Sequence, residues 1–269
     1  MPIPPALVAI VNITEDSFSD GGRYLEAAAA VAHARTLAEE GADWIELGPA
    51  SSNPDAGLVP PEEQIRRLEP VVEALGSGPL PLSVDATRPE VLDWALAQGV
   101  EMVNDVRGFP DPATRERLGG SDALVVVVHS LLAEERATRD AATPEQVLAS
   151  IDRFFDMRLE ELTRAGVDES RLIVDPGMGF FLGNDPRSSI EVLQSIPRLR
   201  TRFGRPVFIS VSRKSFLRAI TGRAVDAVGA ATLTAELYAA RVGADYLRTH
   251  DVGALRDGLR IETALDEQR

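Results

Sequence analysis

The chain has 269 residues and no cysteine, and 28 Lys plus Arg stand against 42 Asp plus Glu, a formal charge of −14 at pH 7. That length suits one α/β barrel of about 250 residues, so a single domain over residues 1–269 is expected. Disulfides, thiolate nucleophiles and Cys-rich zinc sites are excluded, and the acidic balance argues against nucleic acid as a partner.

In chain order, Met1-Pro2-Ile3-Pro4-Pro5 carries no basic segment and leads into a short apolar run, Ala6 to Val11, too brief for a signal or membrane span. No membrane partner and a cytoplasmic location are expected. Runs rich in β-branched residues then recur at Leu7–Ile13, Trp44–Leu47, Leu82–Asp85, Met102–Val106, Leu124–His129, Leu172–Asp175, Val207–Val211 and Tyr246–Arg248. Helical spacing fills the intervals at Leu25–Glu40, Pro61–Leu75, Pro89–Gln98, Pro144–Ala165 and Gly229–Val242, several opened by Pro and several followed by Gly. Eight strands alternating with helices predict a single (β/α)8 TIM barrel, with its active site at the C-terminal ends of the strands; an open doubly wound sheet is the competing arrangement.

Polar residues sit at the C-terminal end of every run: Asn12, Glu46, Asp85, Asn104 with Asp105, His129, Asp175, Arg213 with Lys214, and Arg248 with His250. One such residue is ordinarily a turn or cap residue. A barrel would bring all of them to one mouth. Carboxylates and amides there suit the N–H edge of an amino-pyrimidinone, and the cations suit an anion, which together describe a nitrogen heterocycle bearing phosphate or pyrophosphate. His33, His129 and His250 show no HExxH spacing, no GxSxG elbow or Walker motif occurs, and Gly177, Gly179 and Gly183 miss the dinucleotide fingerprint.

In order, "NITEDSFSDGG" (12–22), "SVDATRPEV" (83–91), "NDVRG" (104–108), "VHS" (128–130), "DPGMGF" (175–180), "SRKSF" (212–216) and "RTHD" (248–251) resemble the dihydropteroate synthase family over nearly the whole chain. The resemblance implies a barrel enzyme that joins 6-hydroxymethyl-7,8-dihydropterin pyrophosphate to 4-aminobenzoate and releases pyrophosphate with Mg²⁺ assistance. It implies a pterin held by Asp85, Asn104, Asp175, Lys214 and Arg248, with Lys214, Arg248 and Asp85 as the catalytic set. Pyrophosphate would rest on Asn12, Ser52, Arg248 and His250, aminobenzoate on Ser215, Phe180, Phe181 and Ser52, and the metal on Asn12. A homodimer through helices near the C-terminus, such as 229–242, is the family habit.

Two segments depart from the ordinary family pattern. Gly48 to Asp55 read "GPASSNPD" where a Gly-Gly-Glu-Ser-Thr-Arg-Pro-Gly loop is usual, and Phe181-Leu182 replace a Gly-Lys pair ahead of a longer stretch, Gly183 to Ser188. With these, the chain resembles the sulfonamide-insensitive synthases of mobile resistance elements, which implies that Phe181 and the longer loop exclude the bulkier drug. A pterin-dependent methyltransferase and an inactive pterin-binding paralogue are the competing functions. "SRKS" and "RTHD" count against the first.

Overall fold

The computed structural model describes residues 4–13, 22–50, 57–76, 78–131 and 142–267. Its elements run β1 (Ala6–Asn12), α1 (Gly22–Glu39), β2 (Trp44–Gly48), α2 (Pro61–Leu75), β3 (Leu82–Asp85), α3 (Pro89–Ala97), β4 (Met102–Asp105), α4 (Pro112–Gly119) and β5 (Leu124–Val128). They continue with α5 (Pro144–Arg164), β6 (Leu172–Asp175), α6 (Pro186–Gln194), α7 (Ile196–Phe203), β7 (Phe208–Ile209), α8 (Ser215–Thr221), α9 (Gly229–Arg241), β8 (Tyr246–Thr249) and α10 (Val252–Asp266).

The sheet order is β6-β5-β4-β3-β2-β1-β8-β7, and its named strand pairs are parallel. A parallel bridge between Val174 and Val207 joins the two ends. Strand order follows chain order around the ring with no reversal, so the fold is a nearly closed (β/α)8 barrel and not a doubly wound sheet. β7 is shorter than the run 207–211 suggests. Its Val207 N–H is taken by the Asp245 carboxylate at 2.9 Å instead of by a strand carbonyl.

Pro opens α2, α3, α4, α5 and α6, where its fixed φ matches the helix and its missing N–H has no intrahelical partner to lose. α5 carries a capping box: Thr143 Oγ1 accepts from Gln146 N at 3.4 Å, and Thr143 N donates to Gln146 Oε1 at 2.8 Å. Thr143→Ala is expected to cost about 1 kcal/mol, read as a lower urea midpoint with an unchanged slope. Among the described residues no helix is long and apolar enough to cross a membrane.

Strand side chains alternate between two shells. Leu7, Ala9, Val11, Leu47, Val84 and Val125 point outward into a core shared with the helices. Val8, Met102, Val126, Ile173 and Phe208 form a smaller cluster that fills the barrel, with Trp44 and Tyr246 packed on it.

Candidate functional site

The site follows from the period of two along each strand. Trp44, Met102, Ile173, Phe208 and Tyr246 belong to the apolar plug. Two residues further on, toward the C-terminal end, stand Glu46, Asn104, Asp175, Ser210 and Arg248. On β3 the same face carries Ser83 and Asp85, in register with Glu46 and Asn104 respectively. A polar layer therefore lies directly above an apolar one.

Above this layer is a small cavity lined by Asp85, Asn104, Asp175, Ser210, Lys214 and Arg248 on its polar side. Val106, Val128, Met178 and Phe181 supply apolar walls. Such a mixture accepts a flat ring with a polar edge.

Beneath the cavity Glu46 is wholly buried. Its Oε2 accepts from Ser83 Oγ and from Asn104 Nδ2, both at 3.1 Å. Arg248 Nε donates to Glu46 Oε1, and Arg248 Nη2 donates to Asp85 Oδ2 at 3.0 Å. Asp175 Oδ1 accepts from Gly177 N at 2.8 Å. Lys214 Nζ lies 4.6 Å from the centre of the Phe181 ring, a cation on an aromatic face.

Burial pushes the Asp85 carboxyl up to about 7 against the pull of Arg248, with Glu46 and Asp105 adding to the rise. Asp175 is raised to about 6, again chiefly by burial, opposed by the Gly177 N–H and Lys214. Burial and Arg248 bring Lys214 down to about 8, although Asp175 and Asp85 oppose this. For Arg248 burial acts against the charge, but Glu46 and Asp85 outweigh it and hold the guanidinium above its ordinary value. Burial, then Arg213 and Arg248, lower His250 to about 3, so it is a neutral ring at physiological pH.

The loop after β6 needs its two glycines. Gly177 has φ +77, and a Cβ there would stand 2.3 Å from the His129 carbonyl oxygen; Gly179 has φ +65, and its Cβ would meet Ser215 Oγ at 3.0 Å. The "DPGMG" loop thus folds down against β5 and the start of α8.

Asp85, Asn104, Asp175, Lys214 and Arg248, the expected pterin set, all line the one cavity. His250 is not among the residues that line it, and its Nδ1 is 2.9 Å from Ser212 Oγ. Asn12 is exposed at the end of β1, opposite Gly48, and Ser215 opens α8 beside Gly179. The two phenylalanines part company: Phe181 lines the cavity, whereas Phe180 is 44% exposed and its ring lies 5.9 Å from the Arg218 guanidinium. Ser52 lies outside the described residues.

Two of the strand-end residues have structural duties, and a third lies at the surface. Asp105 accepts from the backbone N–H groups of Arg107 and Phe109, fastening its own turn. His129 is buried with its ring nitrogens at the Pro176 carbonyl and Ser150 Oγ. Arg213 is exposed. Residues beyond the expected set are Glu46's support, Ser83, and the cavity-lining Ser210 and Met178. Counting back or forward by two from Asp85 and Phe208 would have found the serines.

A nearly closed (β/α)8 barrel whose mouth sets an acceptor-rich cradle beside two cations defines an enzyme of the kind that takes a flat heterocycle carrying an anion. Residues 8–250 match the family of pterin binding enzymes. The chain is 52% identical to the Escherichia coli dihydropteroate synthase type-2, over 97% of this chain and 96% of that one. The Xanthomonas albilineans dihydropteroate synthase solved with 4-aminobenzoic acid superposes with a TM-score of 0.88 at 38% identity, covering 98% and 93% of the two chains. The Anaplasma phagocytophilum dihydropteroate synthase with bound 6-hydroxymethylpterin-monophosphate gives 0.86 at 31% identity, covering 98% and 100%. The chain belongs to the dihydropteroate synthases, transferases of the pterin-binding family.

Proposed function

We propose that this cavity condenses 6-hydroxymethyl-7,8-dihydropterin pyrophosphate with 4-aminobenzoate, giving 7,8-dihydropteroate and pyrophosphate. The observation that carries the assignment of roles is the meeting of Asp85, Asn104 and Asp175 with Lys214 and Arg248 around one cavity. The three acceptors receive the N–H edge of the pterin, and the apolar walls hold its faces. The methylene C–O bond breaks toward pyrophosphate, the aminobenzoate nitrogen forms the new C–N bond, and that nitrogen gives up one proton. Negative charge grows on the leaving oxygens, so Arg248 and Lys214, with the neutral His250 as a hydrogen-bonding group, stabilise the transition state. Asp85 and Asp175 offset the positive charge left on the pterin methylene. Ser215 and Phe181, beside the cavity mouth, are assigned to aminobenzoate.

Among the described residues no group of three or more His, Cys, Asp or Glu could cage a metal ion. A single hard oxygen donor at the rim, Asn12, fits Mg²⁺, which keeps several waters and leans on substrate phosphates more than on protein ligands. When bound, the ion would neutralise charge on the departing pyrophosphate. One domain, a cytoplasmic setting and a homodimer complete the proposal; Ile261 and Leu265 of α10, each 62% exposed, support a contact between copies near the C-terminus.

The pH dependence of kcat/KM for the pterin substrate is expected to be bell-shaped. Asp85 and Asp175 must be ionised to accept, so activity falls as pH drops through about 7 to 6, and Lys214 loses its charge above about 8. Steady-state kinetics across this range would contradict the assignment by giving a flat profile.

Sulfonamide insensitivity is supported by Phe181 standing in the cavity wall and by the likeness to a type-2 synthase. Deleting the extra residues around Phe181 is expected to tighten sulfonamide inhibition while synthase activity survives. An unchanged inhibition constant in an active variant would end the steric account.

Complementation tests the function as a whole. A strain lacking its own synthase should grow without folate when it carries this chain, and continue to grow with sulfonamide present. Failure to grow, with pterin binding retained, would favour a binding protein or a methyltransferase.

A further inference from the structure

We propose that Glu46 is a positioning residue that decides which end of the Asn104 amide the pterin meets. The proposal rests on the reading of the cavity as a pterin site. Glu46 lies beneath the cavity without lining it.

An Asn side chain has two ends of nearly equal shape, an oxygen that accepts and an NH2 that donates, and its neighbours select the orientation. Here the neighbour behind Asn104 is a carboxyl group paired with the Arg248 guanidinium through Oε1. Glu46 therefore has only acceptor oxygens to offer, and its Oε2 takes both Ser83 Oγ and Asn104 Nδ2 at 3.1 Å. The NH2 of Asn104 is turned down and its Oδ1 is turned up. Asn104 is 4% exposed, and among the described residues that Oδ1 is buried with no partner. Burying an acceptor without a partner is costly, so the atom is arranged for a donor that arrives with the ligand.

The consequence is a cradle of one polarity. Asp85, Asn104 and Asp175 all present acceptors, which matches a ligand edge built of N–H groups and rejects one that presents acceptors there. Glu46 enforces this from behind Asn104 while also tethering Arg248, so one buried carboxylate aligns the ring-reading amide and the anion-reading cation.

The Glu46→Gln substitution tests the idea. Arg248 still needs an acceptor, so the new carboxamide gives it the oxygen and turns its NH2 to Asn104, which must then point its own NH2 into the cavity. The dissociation constant for dihydropterin pyrophosphate is expected to rise at least about tenfold by calorimetry, with the KM for 4-aminobenzoate within about twofold of the parent. Adding Asn104→Asp keeps the total charge of the parent, supplies an acceptor to both neighbours, and should recover most of the lost affinity. A Glu46→Gln variant that binds like the parent, or a double variant no better than the single one, would overturn the proposal.

NMR on the unaltered chain gives a second test that needs no variant to fold. The Asn104 side-chain NH2 should exchange slowly in the ligand-free protein, because Glu46 already holds it, and stay protected on pterin addition. Rapid exchange in the ligand-free protein, with protection gained only on binding, would count against the orientation. Absence of pterin binding by the unaltered chain would instead sink the site reading on which the proposal rests.

Discussion

Lys214→Ala is expected to lower kcat/KM for dihydropterin pyrophosphate by roughly 10²–10³-fold, about 3–4 kcal/mol of transition-state stabilisation, on the scale of a removed oxyanion donor. Among the described residues Lys214 is one of two cations lining the cavity. Without it, Asp85, Asp175 and Glu46 leave the site with three carboxylates against the single guanidinium of Arg248, at the place where negative charge has to grow. Lys214→Arg should recover little. The ammonium sits over the Phe181 ring in a small cavity, and a planar fork does not replace a compact charge there. Initial rates with each substrate varied in turn check this: the loss should fall on the pterin substrate and on kcat, with the aminobenzoate KM much less affected.

The second large effect is on stability. Arg248→Ala is expected to cost about 3–5 kcal/mol, because it leaves Glu46 and Asp85 facing each other across a buried layer with no cation between them. The Arg248 side chain is only 15% exposed and that of Glu46 not at all, so water cannot easily replace the lost partner. Denaturant unfolding would show a lower midpoint for Arg248→Ala. The double substitution Glu46→Gln with Arg248→Met should regain more than half of that loss without regaining activity, since both charges are removed together. If the single variant unfolded like the parent, the clamp would not be an energetic element of the barrel.

Much of the barrel is legible in the sequence because each strand is an apolar run that stops at a polar residue, and each of several helices starts at a proline. Where the signal was weak the physics explains it. α4 and α6 are short and carry few periodic apolar residues, yet Asp111 and Asp185 cap them directly before Pro112 and Pro186, a cue that resides in two residues each. β7 is defined by pairing to β8 more than by its own run.

The site was legible for the same reason and hidden where register matters. Asn104 and Asp105 are adjacent and equally polar, and only alternation from Met102 says that the first faces the cavity while the second secures a turn. Glu46 stands at a strand end like the others, but its partners Ser83, Asn104 and Arg248 are 37, 58 and 202 residues away, so its duty emerges only when the barrel closes. Phe180 and Phe181 are likewise indistinguishable on paper. The short helical turn at Gly179–Leu182 sends one ring to the cavity wall and the other to the surface.

A crystal structure of the chain with dihydropterin pyrophosphate tests the central claim most directly. The pterin ring should lie between Asp85, Asn104, Asp175 and Lys214 with its pyrophosphate reaching toward Arg248 and His250. A pterin bound anywhere else on the barrel would contradict the account.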